Sequence, residues 1–192
     1  PALMLSGLAA HALVVPVAGK GRRKQKRPGR QVNTRTFANT GAIQVPAPGK
    51  EWGAGSVYPS AIVVSGLTGA TVENATVTIP NLTHPSSDDV SLLLVKDTVN
   101  AVLMVQAGGD NPAVNLRLTF DDAASSPAPE EAALESGSYR PVTYLDAAYL
   151  PGQFDLPPAL VSGNTLLSTF QGIDPNGSWH LYASDNGDNG LG

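Results

Sequence analysis

Val114-Asn115-Leu116-Arg117-Leu118-Thr119-Phe120 alternates apolar and polar side chains. A repeat of two is the signature of a half-buried strand, with Val114, Leu116, Leu118 and Phe120 toward a core and Asn115, Arg117 and Thr119 toward water. The same pattern recurs upstream, where Ala75, Val77 and Ile79 alternate with Thr76 and Thr78. The runs SLLLV (residues 91–95) and AVLMV (101–105) are apolar on both faces, as strands in the middle of a two-layer sandwich are. Further β-type runs are TFA around Phe37, AIQV (42–45), AIVVS (61–65), LLSTF (166–170) and WHLYAS (179–184). The last two are joined across GIDPNGS, in which Asn176-Gly177 predicts a hairpin turn. Short runs of this kind, separated by turns drawn from 20 Gly and 16 Pro with only 15% charged residues, predict an all-β fold.

Charge is distributed unevenly. Seven of the twelve basic residues lie between Lys20 and Arg30, whereas every acidic residue comes at or after Glu51. From Thr36 onward four basic residues stand against sixteen acidic ones, leaving −12. Nucleic acid is therefore not an expected partner of that region. The chain has no cysteine, which excludes thiol catalysis, iron–sulfur clusters and cysteine zinc sites.

Residues 3–18 (LMLSGLAAHALVVPVA) are apolar, too short to span a bilayer comfortably, and interrupted by small residues and a proline. They read as the h-region of an export signal over residues 1–19 whose charged leading segment is missing. The competing reading of the same residues is a buried strand and turn, or an uncleaved anchor. Residues 20–35 follow as a solvated basic arm, because GKGRRKQKRPGR offers nothing to bury. The folded domain is expected over residues 36–192. Within it, residues 121–165 are rich in Pro, Ala, Ser and Glu and weakly periodic, an excursion expected to be functional or mobile, with a short strand near residues 139–144.

Motifs for catalysis are lacking. The sequence holds no Gly-x-Ser-x-Gly elbow, no His-Glu-x-x-His and no phosphate-binding glycine loop. His180 lies in an alternating strand opposite Trp179 and Leu181, as a surface residue does. His84, close in sequence to Asp88 and Asp89, reads as a hydrogen-bonded histidine at a strand end. No catalytic residue is expected. The carboxylates are more informative, because Asp88, Asp89, Asp110, Asp121, Asp122 and Asp185 fall at strand ends and turns. Strand ends gathered at one edge of a sandwich can supply calcium with the six to eight oxygens it takes, and these six are the candidate calcium ligands. The alternative is turn-capping aspartates bonded to their own backbone.

The order of segments TVENATVTIPNLTHPSSDDVSLLLV, the Gly108-Gly109-Asp110 turn, LTFDDAA and LSTFQGIDPNGSWHLYASDNGDNG resembles the P domain (P/Homo B) that follows the catalytic domain in proprotein convertases. It is most similar to P-like modules of exported bacterial proteins. His84, Phe170, Gly172, Asn176, Gly177, Trp179, Asp185 and Gly190 carry the likeness. The resemblance implies a jelly-roll β-sandwich of the galactose-binding-domain-like kind that supplies no catalytic residue. It departs from the family in the loop after His84, in the length of the 121–165 excursion, and in lacking the closing strand.

The expected function is a non-catalytic accessory or binding module of a secreted or cell-surface protein, monomeric, engaging a protein or a surface polymer. One alternative is the accessory domain of a secreted subtilisin-like endopeptidase whose catalytic domain lies outside this chain. Another is a carbohydrate-binding module using Trp52, Tyr58, Tyr139, Tyr144 and Tyr149, an expectation that rests on fold analogy.

Overall fold

A computed structural model describes residues 7–8, 11–18, 32–155 and 161–187. It is an all-β sandwich of an eight-stranded and a six-stranded sheet, with fourteen strands among the described residues. In chain order these are β1 (Gly7–Leu8), β2 (His11–Ala18), β3 (Val32–Asn39), β4 (Ile43–Gln44), β5 (Gly53–Ala54), β6 (Ser60–Val64) and β7 (Thr71–Val72). They continue with β8 (Thr76–His84), β9 (Val90–Lys96), β10 (Val99–Val105), β11 (Ala113–Phe120), β12 (Gly137–Tyr139), β13 (Val142–Thr143) and β14 (Gly177–Asp185). The first sheet runs β12-β11-β8-β1-β4, and β2 joins β8 to β3 and β7. The second runs β13-β10-β9-β14, and the far edge of β14 is shared by β6 and β5.

Inward-facing residues of both sheets meet in one core, with Val77, Ile79, Leu118 and Phe120 from the first and Leu92, Leu94, Leu103, Trp179 and Leu181 from the second. Trp179 is fully buried, packs on Phe170 with ring centroids 5.0 Å apart, and donates its indole N–H to the Pro175 carbonyl at 2.9 Å. That bond matters because a buried indole left unpaired would cost free energy.

β9 and β10 are buried on both faces, as their sequence predicts. The outer face is closed by the 121–165 excursion, whose Leu150, Phe154 and Val161 pack on Leu93, Val95, Val102, Val105 and Tyr182. The excursion, expected to be functional or mobile, thus serves as a packed cover for this face. The excursion also feeds both sheets, because β12 lies parallel to β11 and β13 parallel to β10, on either side of Pro141.

Three local expectations fail for identifiable reasons. Val114 is 62% exposed, not buried, because the pairing of β11 with β8 slips between Ala113 and Leu116. Asn115 sits there at φ 53°, a left-handed conformation Asn tolerates, and its N–H donates to the Thr83 hydroxyl at 3.0 Å. LLSTF is not a strand but a 3-10 turn over Leu167–Phe170, burying Leu167 and Phe170 three residues apart. Asp122 fixes it by accepting from the N–H groups of Leu167 (2.8 Å) and Ser168 (2.7 Å). Asn176-Gly177 therefore closes no hairpin. The Asn176 side chain instead accepts from the Leu67 N–H at 3.0 Å and donates to the Leu67 carbonyl at 3.1 Å.

The N-terminal boundaries also shift. Part of the segment read as an export h-region is β2, paired along its length with β3 and, at Ala12, Leu13 and Val14, with Thr78, Val77 and Thr76 of β8. The folded unit extends upstream of residue 36, and residues 32–35 of the expected arm belong to β3. Residues 19–31, with the whole Lys20–Arg30 basic run, lie outside the described residues.

Two substitutions separate a structural cover from a loose loop. Phe154→Ala is expected to cost about 3–5 kcal/mol and to increase binding of a hydrophobic dye. Tyr149→Ser, at a residue 68% exposed on the same excursion, is expected to stay within about 0.5 kcal/mol of the parent in a denaturant melt. A chain beginning at residue 19 should also melt below the full chain, since β3 loses β2, its partner strand among the described residues, and β8 loses part of one edge.

Candidate functional site

β8 ends at His84 and β14 ends at Asp185, and the sandwich brings these chain-distant ends together. His84 is 3% exposed and Asp185 4%. Nδ1 of His84 lies 2.6 Å from the Ser86 carbonyl and Nε2 lies 3.2 Å from Oδ2 of Asp185. Both ring nitrogens face oxygen acceptors, so a doubly protonated ring satisfies both. Burial pulls the imidazole pKa down, but the Asp185 hydrogen bond, the Ser86 carbonyl and the charges of Asp185 and Asp89 outweigh it and hold His84 above its ordinary value. Both ring nitrogens are engaged by these contacts, and the ring is closed off from solvent.

Around this pair the chain folds back tightly. The Asn186 N–H donates to the Asp89 carbonyl at 2.8 Å, and the Gly187 N–H donates to Oδ1 of Asp185 at 2.9 Å. A side chain at position 187 would stand 2.5 Å from an Asp89 carboxylate oxygen, which accounts for the glycine. Burial raises the pKa of Asp88, and repulsion from Asp89, Asp110, Glu131 and Glu130 adds to it. Burial and the charge of Asp185 likewise raise Asp89, against the opposing effects of His84 and the Ser86 hydroxyl.

The six aspartates read from the sequence therefore divide. Asp88, Asp89, Asp110 and Asp185 feel one another at this end of the sandwich. Asp121 accepts from the Ala123 N–H at 2.9 Å and Asp122 caps the 3-10 turn, so these two serve the backbone. Among the described residues no group of three or more His, Asp or Glu side chains is placed to hold a metal ion. Oδ2 of Asp185 is committed to His84 and Oδ1 to the Gly187 N–H. Of the residues carrying the family likeness, Phe170 and Trp179 are core, Asn176 ties the Leu67 loop, Gly172 and Gly177 adopt φ 86° and φ 105°, and Gly190 lies outside the described residues.

The same end carries a second feature, which in the sequence is one loop aromatic among five. Trp52, 66% exposed, precedes β5 and stands between two open clefts. One, of about 340 Å3, is lined by Trp52, Gly152, Gln153, Asn186 and Gly187. The other, of about 500 Å3, runs from Ala47 through Lys50, Glu51 and Gly55 to Asp155. The floor is held by β5 against Ser184 and Asp185 of β14, and by the Gly55 N–H donating to the Ala183 carbonyl at 2.9 Å. One wall is pinned where Ser184 Oγ (2.6 Å) and Asn186 Nδ2 (3.3 Å) donate to the Gln153 carbonyl. Of the other four loop aromatics, Tyr149 is 68% exposed on the 121–165 excursion and three are engaged elsewhere. Tyr58 packs edge-on against Tyr182, while Tyr139 and Tyr144 donate their hydroxyls to the Glu135 and Ala128 carbonyls.

The shifts at His84, Asp88 and Asp89 share one sign. A group whose folded pKa lies above its unfolded value adds stability that is complete below the unfolded value and is lost as pH rises through the folded one. The carboxylate share is lost above 3.8 and the imidazole share above 6.5. The melting temperature should fall as pH is raised from about 6 to about 8, and His84→Gln should flatten that slope. A parent protein more stable at the alkaline end would contradict the assignment.

No family model matches this sequence, and neither the curated proteins nor the solved structures contain a match to it.

Proposed function

We propose that this domain is a non-catalytic accessory or binding module of an exported protein. The observation that carries the reading is Trp52, a large apolar side chain held in water at the mouth of two clefts by an ordered strand pairing. Exposure of an indole forgoes the free energy its burial would yield, and such a side chain on an ordered edge is suited to anchoring a ligand. The enclosed His84–Asp185 pair fits the same reading, because its role is to join two strand ends. His180 is held in the β14 ladder opposite Val95 and Ala61. Among the described residues no helix is long and apolar enough to cross a membrane.

The test pairs two measurements on the full chain. Hydrolysis of ester, peptide and glycoside substrates is expected to stay at the buffer rate, and turnover abolished by His84→Ala in a protein that still folds would overturn the proposal. Sedimentation with insoluble surface polymer is expected for the parent and is expected to be lost in Trp52→Ala with an unchanged melt. Export in this reading requires β2 to stay with the domain, and N-terminal sequencing of the protein recovered outside the cell checks that.

A further inference from the structure

The geometry points to Trp52 as the stacking platform of a binding site for a neutral oligosaccharide that runs from one cleft to the other across the indole. This rests on the binding-module reading and names its ligand class.

A pyranose ring presents C–H groups on its faces and hydroxyls around its rim. It is therefore held by a flat aromatic surface with hydrogen-bonding groups in the surrounding plane. The Trp52 surroundings have that arrangement. Glu51 and Asp155 supply acceptors on one side, and Gln153 and Asn186 supply amide groups on the other. Glycines 49, 53, 55, 152 and 187 are among the residues that line the clefts. Both clefts fall in the size range of small-molecule sites, and both share Trp52, so the ring has room on either side for a continuing chain. The platform does not need to form on binding, because β5 is already laddered to β14 and Gln153 is already bound by Ser184 and Asn186.

Charge narrows the class. Lys50 lines one cleft with two carboxylates, Glu51 and Asp155, and the residues from Thr36 onward sum to −12, which disfavours polyanionic glycans and nucleic acid at this surface. Hydroxyl-rich neutral chains are accepted by carboxylates and amides alike. A cationic peptide, which could use the indole and the carboxylates together, is the competing ligand and a separate outcome of the test.

The protein provides its own probe, since its two tryptophans are Trp52 in water and Trp179 in the core. Acrylamide quenching therefore reads Trp52. Titration of the full chain with cello-, xylo-, manno- and chito-oligosaccharides of about four to six units should protect Trp52 from quenching with at least one series. Trp52→Ala should weaken that binding by about tenfold or more, and Asp155→Asn more modestly, with melts unchanged. Absence of protection by every neutral series at millimolar concentration, or binding undiminished in Trp52→Ala, overturns the assignment. Protection by an oligolysine peptide but by no sugar overturns the ligand class while leaving a binding module. Reducing ends appearing during the sugar titration would overturn the non-catalytic reading while leaving the sugar site standing.

Discussion

The rest of the structure depends on closing the outer face of β9 and β10. These two strands are apolar in every direction, and a sandwich by itself can cover only one of their faces. Left in water, Leu93, Val95, Val102 and Val105 would form a continuous apolar patch of the kind that drives association. The chain covers them with its own 121–165 excursion, whose proline-rich course would otherwise have no reason to be ordered. Leu134 of the same excursion enters the inner core, while Leu150, Phe154 and Val161 reach the outer face. One segment therefore contributes to both apolar clusters.

The His84–Asp185 pair does at the strand ends what the excursion does on the flank. It joins β8 of one sheet to β14 of the other through a buried hydrogen bond between His84 and Asp185. Removing one partner of such a pair is costly because it strands the other. The backbone bonds from Asn186 and Gly187 then position the chain where it passes the Trp52 cleft, so the candidate site shares its wall with the pair. An exposed aromatic can be held in a defined place here because everything behind it is fixed.

The strands were legible wherever alternation was strict or burial complete, as in residues 75–79, 91–95 and 101–105. Elsewhere the deciding partner was remote. The 3-10 turn at Leu167–Phe170 depends on Asp122, 45 residues upstream, and a run of Leu, Ser, Thr and Phe reads locally as a strand. The slip at Asn115 reverses the facing of Val114 without breaking the alternation of letters, and only the residue type at the left-handed position hints at it. The excursion was opaque because its buried residues are widely spaced and each fills a different place. Residues 11–18 satisfied two descriptions, since an apolar run of that length serves a strand or an export segment equally well, and in the structure they pair on both edges. Trp52 was visible, but its clefts are assembled from segments about a hundred residues apart.

The passage from β12 to β13 has a mechanical consequence. Within seven residues the chain adds a parallel strand to one sheet, turns at Pro141, and adds a parallel strand to the other. Sliding one sheet over its neighbour would have to shear one of these two short ladders. The crossing is a cross-brace, and a pulling force that separates the layers meets backbone hydrogen bonds in addition to side-chain packing.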